Sequence, residues 1–536
     1  MHRNTLIWIF SGTAILIIFA IVSYKSLFGW WGLKVLGIDY QTANWDPGGA
    51  YLGSGIALFS QRYAANADWP GHPGITLMFM VQVVARSLHW LAVLSGTIVS
   101  FETYVAKNIF WIIFIVKIVI SLLYLLSSYL VYVFTLELLD KKEIALLAAM
   151  SYLTTYPVLS YFNNISPEPL MIIFTLLAIL FVLKYKNYPY HYKDKNLRPF
   201  IYIGLSALST ACSLGTKMMF AIPLAFLIYL FILLETHGLT GKKIIFGLVR
   251  RIIDSSLYLL LLVIFLIPIY WKIDLSSFFK YWFSFSPGAP GYISAENWGL
   301  NILNNVGYLV ANFFSSISKR WFSIFRPKFN YYGLFVMAES IFLVSSFFGI
   351  IMFWKKEPDK RAILKRLITF NFLITLIYLY RTGWHYFMIQ LAFLAIFFAY
   401  FIFSSVNNIK KLSYKGKIAL SILLVLLSHS FSIFLFINSK MWDMKEYRIW
   451  QPYYEALRKI NYNEKIGVIN SPGFTMIFGN ILYYMPKDSS IQFTKEFNNI
   501  FVDLDHKTAE LSVGNKNIRF LIDHTSSGTI LRRIGQ

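Results

Sequence analysis

The sequence predicts an all-α polytopic membrane protein of about eleven transmembrane helices, with amphipathic helices in its first outer loop and a small C-terminal α/β extracytoplasmic domain. Three observations predict it. Apolar runs as long as a bilayer is thick recur along the 536 residues, which are 57% hydrophobic, 18% aromatic and 14% charged, with a mean hydropathy of +0.56. Soluble domains do not reach such values. Lys and Arg gather in short connections between those runs. Finally, residues 438–536 mix charge with apolar runs too short to span a bilayer. The expected domains are therefore 1–437, in the membrane, and 438–536, outside it.

The formal charge is +23, from 49 Lys and Arg against 26 Asp and Glu. Nucleic acid is not the expected partner, because the cations sit where the positive-inside rule puts them. Anionic membrane lipid is the expected partner of that charge. Cys212 is the sole cysteine, so no intramolecular disulfide can form. Met1-His2-Arg3 runs straight into an apolar segment without a small-residue cleavage site, the pattern of an uncleaved anchor.

The first expected span is 6–28. A polar loop follows, 38–75, with Asp39, then Trp45-Asp46-Pro47-Gly48-Gly49-Ala50-Tyr51, then Trp69-Pro70-Gly71-His72-Pro73-Gly74. Two amphipathic patterns, 50–64 and 75–94, read as helices lying along the membrane surface. Spans two to four are 109–136, 144–161 and 169–183, with the turn Asp140-Lys141-Lys142-Glu143 after the second and Lys186, Lys193, Lys195 and Arg198 after the fourth. Spans five and six are 200–214 and 218–234, followed by Lys242, Lys243, Arg250 and Arg251. Span seven is 252–271, and a long loop, 272–332, follows it. Spans eight to eleven are 334–354, 367–380, 386–403 and 418–437, with basic loops at 355–366 and at Lys410, Lys411, Lys415 and Lys417.

Parity orders these spans. With the N-terminus inside, the basic loops after spans four, six, eight and ten all face the cytoplasm. The long loops after spans one and seven, and the tail, face outward. Lys319, Arg320, Arg326 and Lys328 put positive charge in an outer loop, where the rule constrains weakly. In the tail, 453–460 and 474–485 read as helices and 465–470 and 518–523 as buried strands.

The residues able to carry chemistry all fall on the outer side. Asp46 and Asp39 lie in the first outer loop, where a carboxylate can take a proton from an attacking hydroxyl. The competing reading of either Asp is a cap for the helix starting near Ala50. His72 precedes a Pro-Gly turn and can orient a substrate or a base. Glu168, in Ser166-Pro167-Glu168-Pro169, starts span four and either complements the helix dipole or faces the same cleft. Lys217, after Gly215-Thr216, stands at the outer turn between spans five and six, where a cation needs a partner or snorkels to headgroups. Arg381 and His385, in Tyr380-Arg381-Thr382-Gly383-Trp384-His385-Tyr386, supply two phosphate donors at a third outer turn. No metal-ligand cluster, Walker loop, dinucleotide fingerprint or Ser-His-Asp arrangement stands out, which disfavours a cytoplasmic nucleotide-sugar donor.

Together these motifs resemble the membrane-embedded GT-C glycosyltransferases, in the branch of protein O-mannosyltransferases and lipid A aminoarabinose transferases. That branch carries an Asp, often Asp-Glu, after span one, and Trp45-Asp46-Pro47-Gly48-Gly49-Ala50-Tyr51 is similar, with Pro47 in place of the Glu. His72-Pro73-Gly74-Ile75 resembles its His-Pro-Pro-Leu element, Glu168-Pro169-Leu170 its acidic start of span four. Gly215-Thr216-Lys217 resembles its Thr-Lys step, and His385-Tyr386 its late His/Arg-Tyr element. The resemblance covers roughly the first 400 residues. It implies an inverting transfer of sugar from a polyprenyl-phosphate donor to a lipid, glycan or protein acceptor. Asp46, with Asp39 behind it, would be the base and Glu168 an acid that either supports the reacting groups or sits at the acceptor site. Lys217, Arg381, His385, His72, Tyr51 and Tyr386 would bind the donor. The lipid-linked donor is the implied partner, and the motifs leave a divalent metal undecided. Together with the Ile/Lys/Asn-rich usage, the resemblance implies a bacterial inner membrane with the site facing the periplasm or exterior. The rival is a transporter or flippase of a lipid-linked sugar, which would show inverted repeats and midplane polar residues. A non-catalytic glycan-binding scaffold is a third reading.

Overall fold

Helix after helix among the described residues is built of the residues lipid favours, and several of their ends are set by a local feature. A computed structural model describes residues 55–56, 74–96, 101–162, 165–186, 197–234, 243–270, 331–378, 388–430, 432–433, 501–503, 508–513, 516–525 and 528–534. The expected span 6–28 lies outside these residues.

Helix α1 is Ile75–Leu94 and α2 is Phe101–Leu139. α2 kinks at Asn108, whose φ of −121° and ψ of 16° leave the helical region. The Asn108 amide takes the Tyr104 carbonyl at 3.0 Å, replacing a bond the kink removes. Asp140, at a left-handed φ of 54°, turns the chain out of α2. α3 (Lys142–Thr154) and α4 (Tyr156–Tyr161) follow.

The sequence suggests one span over 144–161, but the structure breaks it at Thr155, which is extended. Pro157 is the cause: it lacks the N–H that would bond to residue 153, and its ring would strike that carbonyl. The Thr155 hydroxyl donates to the Tyr152 carbonyl at 2.8 Å and closes the end of α3.

Helices α5 (Glu168–Lys186), α6 (Arg198–Thr216), α7 (Met218–Leu233) and α8 (Lys243–Tyr270) form the next group. Helix α9 (Tyr331–Lys356), a 3₁₀ turn (Pro358–Lys360), α10 (Arg361–Tyr378), α11 (Met388–Asn407) and α12 (414–430) complete the helical part. Each α-helix covers an apolar run expected to be helical, but α8 and α10 begin inside the basic stretches expected as loops before theirs, and the 3₁₀ turn lies within one.

α5 and α6 lie at the centre. α5 packs on α6, α2 and α7, and α6 on α8, α7 and α1, while α11 packs on α9 and α3. Lipid tails are as apolar as Leu, so close packing and interhelical hydrogen bonds hold such helices together. Ser206 donates to the Ala178 carbonyl at 2.9 Å, joining α6 to α5. Ser128 donates to the Ala149 carbonyl at 2.9 Å, joining α2 to α3. Ser346 donates to the Leu394 carbonyl at 3.1 Å, joining α9 to α11. Beside it, a Cβ on Gly349 would stand 1.9 Å from the Phe397 carbonyl oxygen, so the two backbones touch there.

Six described helical stretches are long and apolar enough to cross a membrane: Ile75–Leu94, Ile115–Leu139, Glu168–Tyr185, Arg198–Thr216, Leu248–Tyr270 and Met388–Asn407. The sequence reading lays the first of these, 75–94, along the membrane surface, and its length and composition are also those of a crossing helix. α1 is a continuous 20-residue apolar helix, and its outward-facing residues include Phe79, Val83, Trp90 and Leu94. A helix apolar on its exposed side fits lipid rather than an aqueous boundary.

In the tail, β1 (Phe501–Asp503), β2 (Thr508–Val513), β3 (Lys516–Thr525) and β4 (Gly528–Ile534) form one antiparallel sheet in the order β1-β2-β3-β4. The pairings Leu511 with Ile518 and Ile522 with Leu531 fix its register. The run 518–523, read as a strand from sequence, lies inside β3. The runs 453–460, 465–470 and 474–485 lie outside the described residues.

Candidate active site

Glu168 and Lys217 are the two predicted site residues that the described structure contains, and it brings them together. Glu168 is the first residue of α5, entered through Ser166-Pro167. Pro167 cannot continue a helix from the preceding chain, so α5 starts here, and an acid in its first turn meets the positive end of the dipole. Lys217 is the joint between α6 and α7. Its φ of −151° and ψ of 90° interrupt two runs that would otherwise be one helix. Its N–H still reaches the Ser213 carbonyl at 2.9 Å, and its own carbonyl accepts from Ala221 at 3.2 Å, so the interruption is one residue wide.

The Lys217 ammonium donates to Glu168 Oε1 in an ion pair, with the two side chains 2% and 1% exposed. Burial makes this pair expensive in solvation, and charge neutralisation has to offset that cost. The other oxygen, Glu168 Oε2, is buried and has no hydrogen-bond partner among the described residues.

The surroundings clamp the joint. Gly215 has no side chain, and a Cβ there would stand 2.7 Å from Ile269 Cγ2 and 3.3 Å from Thr76 Cγ2, so α8 and α1 close over it. The Thr76 and Thr216 hydroxyls lie 2.6 Å apart, and Tyr270 donates to the Leu214 carbonyl at 2.8 Å. On the Glu168 side, the buried Tyr124 hydroxyl is 3.5 Å from Ser166 Oγ and 3.6 Å from Met388 Sδ. The starts of α1, α5, α7 and α11, the ends of α6 and α8 and the middle of α2 therefore converge at one end of the bundle.

One fragment of the first loop is described, Gly55–Ile56, and it is docked on α1. With its amide turned to satisfy its neighbours, Gln82 donates to the carbonyls of Gly55 at 2.7 Å and Ile56 at 2.8 Å and accepts from Arg86 Nε at 3.0 Å. A Cβ on Gly55 would lie 2.7 Å from Val81 Cβ, so glycine permits the approach.

Asp39, Asp46, Tyr51, His72, Arg381, His385 and Tyr386 lie outside the described residues, as do Lys319 and Arg320. Sequence reasoning missed Thr76, Tyr124 and Ser166, which look like ordinary helix and turn residues. It also missed Gln390, which is 7% exposed with neither amide atom partnered among the described residues. A Gln in an otherwise apolar helix start was the available signal. No group of three or more His, Cys, Asp or Glu able to hold a metal occurs among the described residues.

The described chain is thus a multi-pass helical membrane protein with a buried ion pair at one end of its bundle. Residues 113–281 match the family model of dolichyl-phosphate-mannose-protein mannosyltransferase. That stretch, about a third of the chain, contains both Glu168 and Lys217 and bears out the resemblance read from the motifs there. Among solved structures, the chain is similar to the archaeal oligosaccharyltransferase AglB from Archaeoglobus fulgidus in complex with an inhibitory peptide and a dolichol-phosphate, at 14% identity and a TM-score of 0.41 over 90% of this chain and 65% of that one. A second Archaeoglobus fulgidus oligosaccharyltransferase structure, tethered to an acceptor peptide, gives 13% identity and 0.39 over 90% and 61%. ArnT from Cupriavidus metallidurans bound to undecaprenyl phosphate gives 12% identity and 0.42 over 88% and 85%. This chain therefore spans less than two thirds of either oligosaccharyltransferase. Nothing among curated proteins matches the chain.

Proposed function

We propose that the protein is a glycosyltransferase that moves a sugar from a polyprenyl-phosphate donor to a lipid, glycan or protein acceptor at the outer face of a bacterial inner membrane. One observation carries this reading: the Glu168–Lys217 ion pair is buried where seven helices meet, inside the stretch that matches a mannosyltransferase family model. Buried charge in a membrane bundle is retained for function far more often than for stability.

The chemistry follows from the residue types. The acceptor hydroxyl attacks the anomeric carbon as the bond from that carbon to the phosphate oxygen breaks. Asp46 takes the hydroxyl proton, and polyprenyl phosphate leaves with the electron pair. Attack opposite the leaving group inverts the anomeric centre. The Lys217 ammonium, with Arg381 and His385, neutralises the phosphate as it leaves. Glu168 fixes the Lys217 ammonium in place, and its Oε2 can accept from a substrate hydroxyl. The docking of Gly55–Ile56 on α1 supports the role of Asp46. Asp46 lies nine positions before Gly55, with eight residues between them, a reach of at most about 30 Å for extended chain.

The test is purified protein in detergent or lipid, given a polyprenyl-phosphate sugar, with transfer and donor binding followed separately. Donor binding without release of polyprenyl phosphate, under any acceptor, would favour the transporter over the enzyme.

A further inference from the structure

A second polar site lies at the opposite end of the bundle. From Tyr124, which borders Glu168, α2 runs to Leu139 and the turn at Lys141, about 25 Å away at 1.5 Å per residue. α11 runs the same way, from Met388 beside Tyr124 to Tyr400 and Asn407. There a cavity of about 430 Å³ opens, lined among others by Lys141, Lys356, Glu357 and Tyr400.

Its charge is positive. Glu357 is the one acid in the lining, and its oxygens are already engaged: Oε1 by Lys141 at 2.9 Å and by the Tyr400 hydroxyl at 3.3 Å, Oε2 by Lys360 at 3.9 Å. Lys356 is exposed at the rim, and Lys417 reaches the Asn407 carbonyl at 2.7 Å. The depth is marked independently. Trp354, one turn's reach before the cavity on α9, is half-exposed and carries Arg361 and Lys365 each 5.5 Å from its ring. A Trp stacked with cations at a helix end is the signature of the headgroup level. The walls are mixed to match, with Ile144 and Phe403 apolar and Ser404, Asn407 and Asn408 polar.

We propose that this cavity binds the phosphodiester headgroup of an anionic phospholipid, on the face of the membrane opposite the Glu168–Lys217 site. Lys356 and Lys141 meet the phosphate, the Asn and Ser side chains meet headgroup hydroxyls, and the apolar wall meets the first methylenes of the acyl chains. Basic pockets between transmembrane helices hold phospholipid headgroups by this chemistry. The proposal does not depend on the reaction performed at the other end.

The experiment is native mass spectrometry of the full chain released from detergent with equal amounts of phosphatidylglycerol and phosphatidylcholine. Preferential retention of phosphatidylglycerol is expected. Lys356→Gln, an exposed change, should reduce that retention roughly fivefold, while Lys410→Gln, outside the lining, should not. Ser404→Trp fills the cavity and should abolish retention without altering charge. Equal retention of both lipids, or equal losses in Lys356→Gln and Lys410→Gln, would overturn the site in favour of diffuse attraction. Displacement of phosphatidylglycerol by millimolar inorganic phosphate alone would overturn the lipid assignment in favour of a free-phosphate site.

Discussion

Glu168 and Lys217 stand 49 residues apart in sequence and share one hydrogen bond in the dry interior of the bundle. Neither can be removed alone without leaving a charge behind. Removing one partner of a buried pair costs about 3–5 kcal/mol, whereas replacing both by apolar groups of similar volume is often neutral. Lys217→Met alone should therefore lower the unfolding temperature sharply, and Glu168→Leu with Lys217→Met should restore most of it. If the pair serves donor binding, the double variant folds and still fails to bind a polyprenyl-phosphate sugar. Restored folding with undiminished donor affinity would reduce the pair to a structural element.

Asp46→Asn separates base from cap. Asn caps a helix as well as Asp does, so stability should hold. As a general base Asp46 supplies roughly 10²–10⁴-fold in rate, so turnover should fall by that factor with donor affinity retained. Full turnover in this variant would pass the role to Asp39.

Gly349 is the point at which α9 and α11 touch backbone to backbone. Gly349→Ala puts a methyl group 1.9 Å from the Phe397 carbonyl oxygen, a distance no rotamer change relieves. The helices must separate, and the neighbouring Ser346 bond to Leu394 should be lost. Thermal unfolding of this variant should fall well below that of Gly204→Ala, whose new Cβ would meet only Leu261 Cδ1 at 3.9 Å. Equal unfolding temperatures would show that α9 and α11 do not pack as described.

Glu357 gives a pH dependence of known sign. Burial raises its carboxyl, but the hydrogen-bonded Lys141 ammonium, with Lys360 and the Tyr400 hydroxyl, outweighs that and holds it below the ordinary value of 4.5. A carboxyl depressed on folding contributes stability above its unfolded pKa and loses it as pH falls through the folded one. Thermal unfolding measured from pH 6 down to about pH 3 should therefore fall more in the native protein than in Glu357→Gln. Parallel curves would mean that the Lys141–Glu357 contact adds nothing to stability.

Topology is checked by labelling. In a Cys212→Ser background, single cysteines at Ser54 and Ser489 should react with an impermeant reagent from the outer side, and one at Ser405 should not. Ser405 is exposed beside the cavity end of α11. Reaction of Ser54 and Ser405 from the same side would contradict the placement of the two sites on opposite faces.

What the sequence determined by itself is the helices and their solvent. An apolar run is a local property, selected by lipid rather than by neighbours, so α5, α6, α7 and α11 are legible in composition to within a few residues. The basic loops are legible for the same reason. Glu168 and Lys217 were also legible as candidates, because a charge at the edge of an apolar run is conspicuous wherever it points. Tertiary structure alone decided that these two charges meet, that Gly215 and Gly349 are contact points, and that Lys141 finds Glu357 across 216 residues. Lipid gives one apolar helix no preference among others. The choice of neighbour rests on a few small residues and polar contacts scattered through the chain, and no local pattern records which of them will meet.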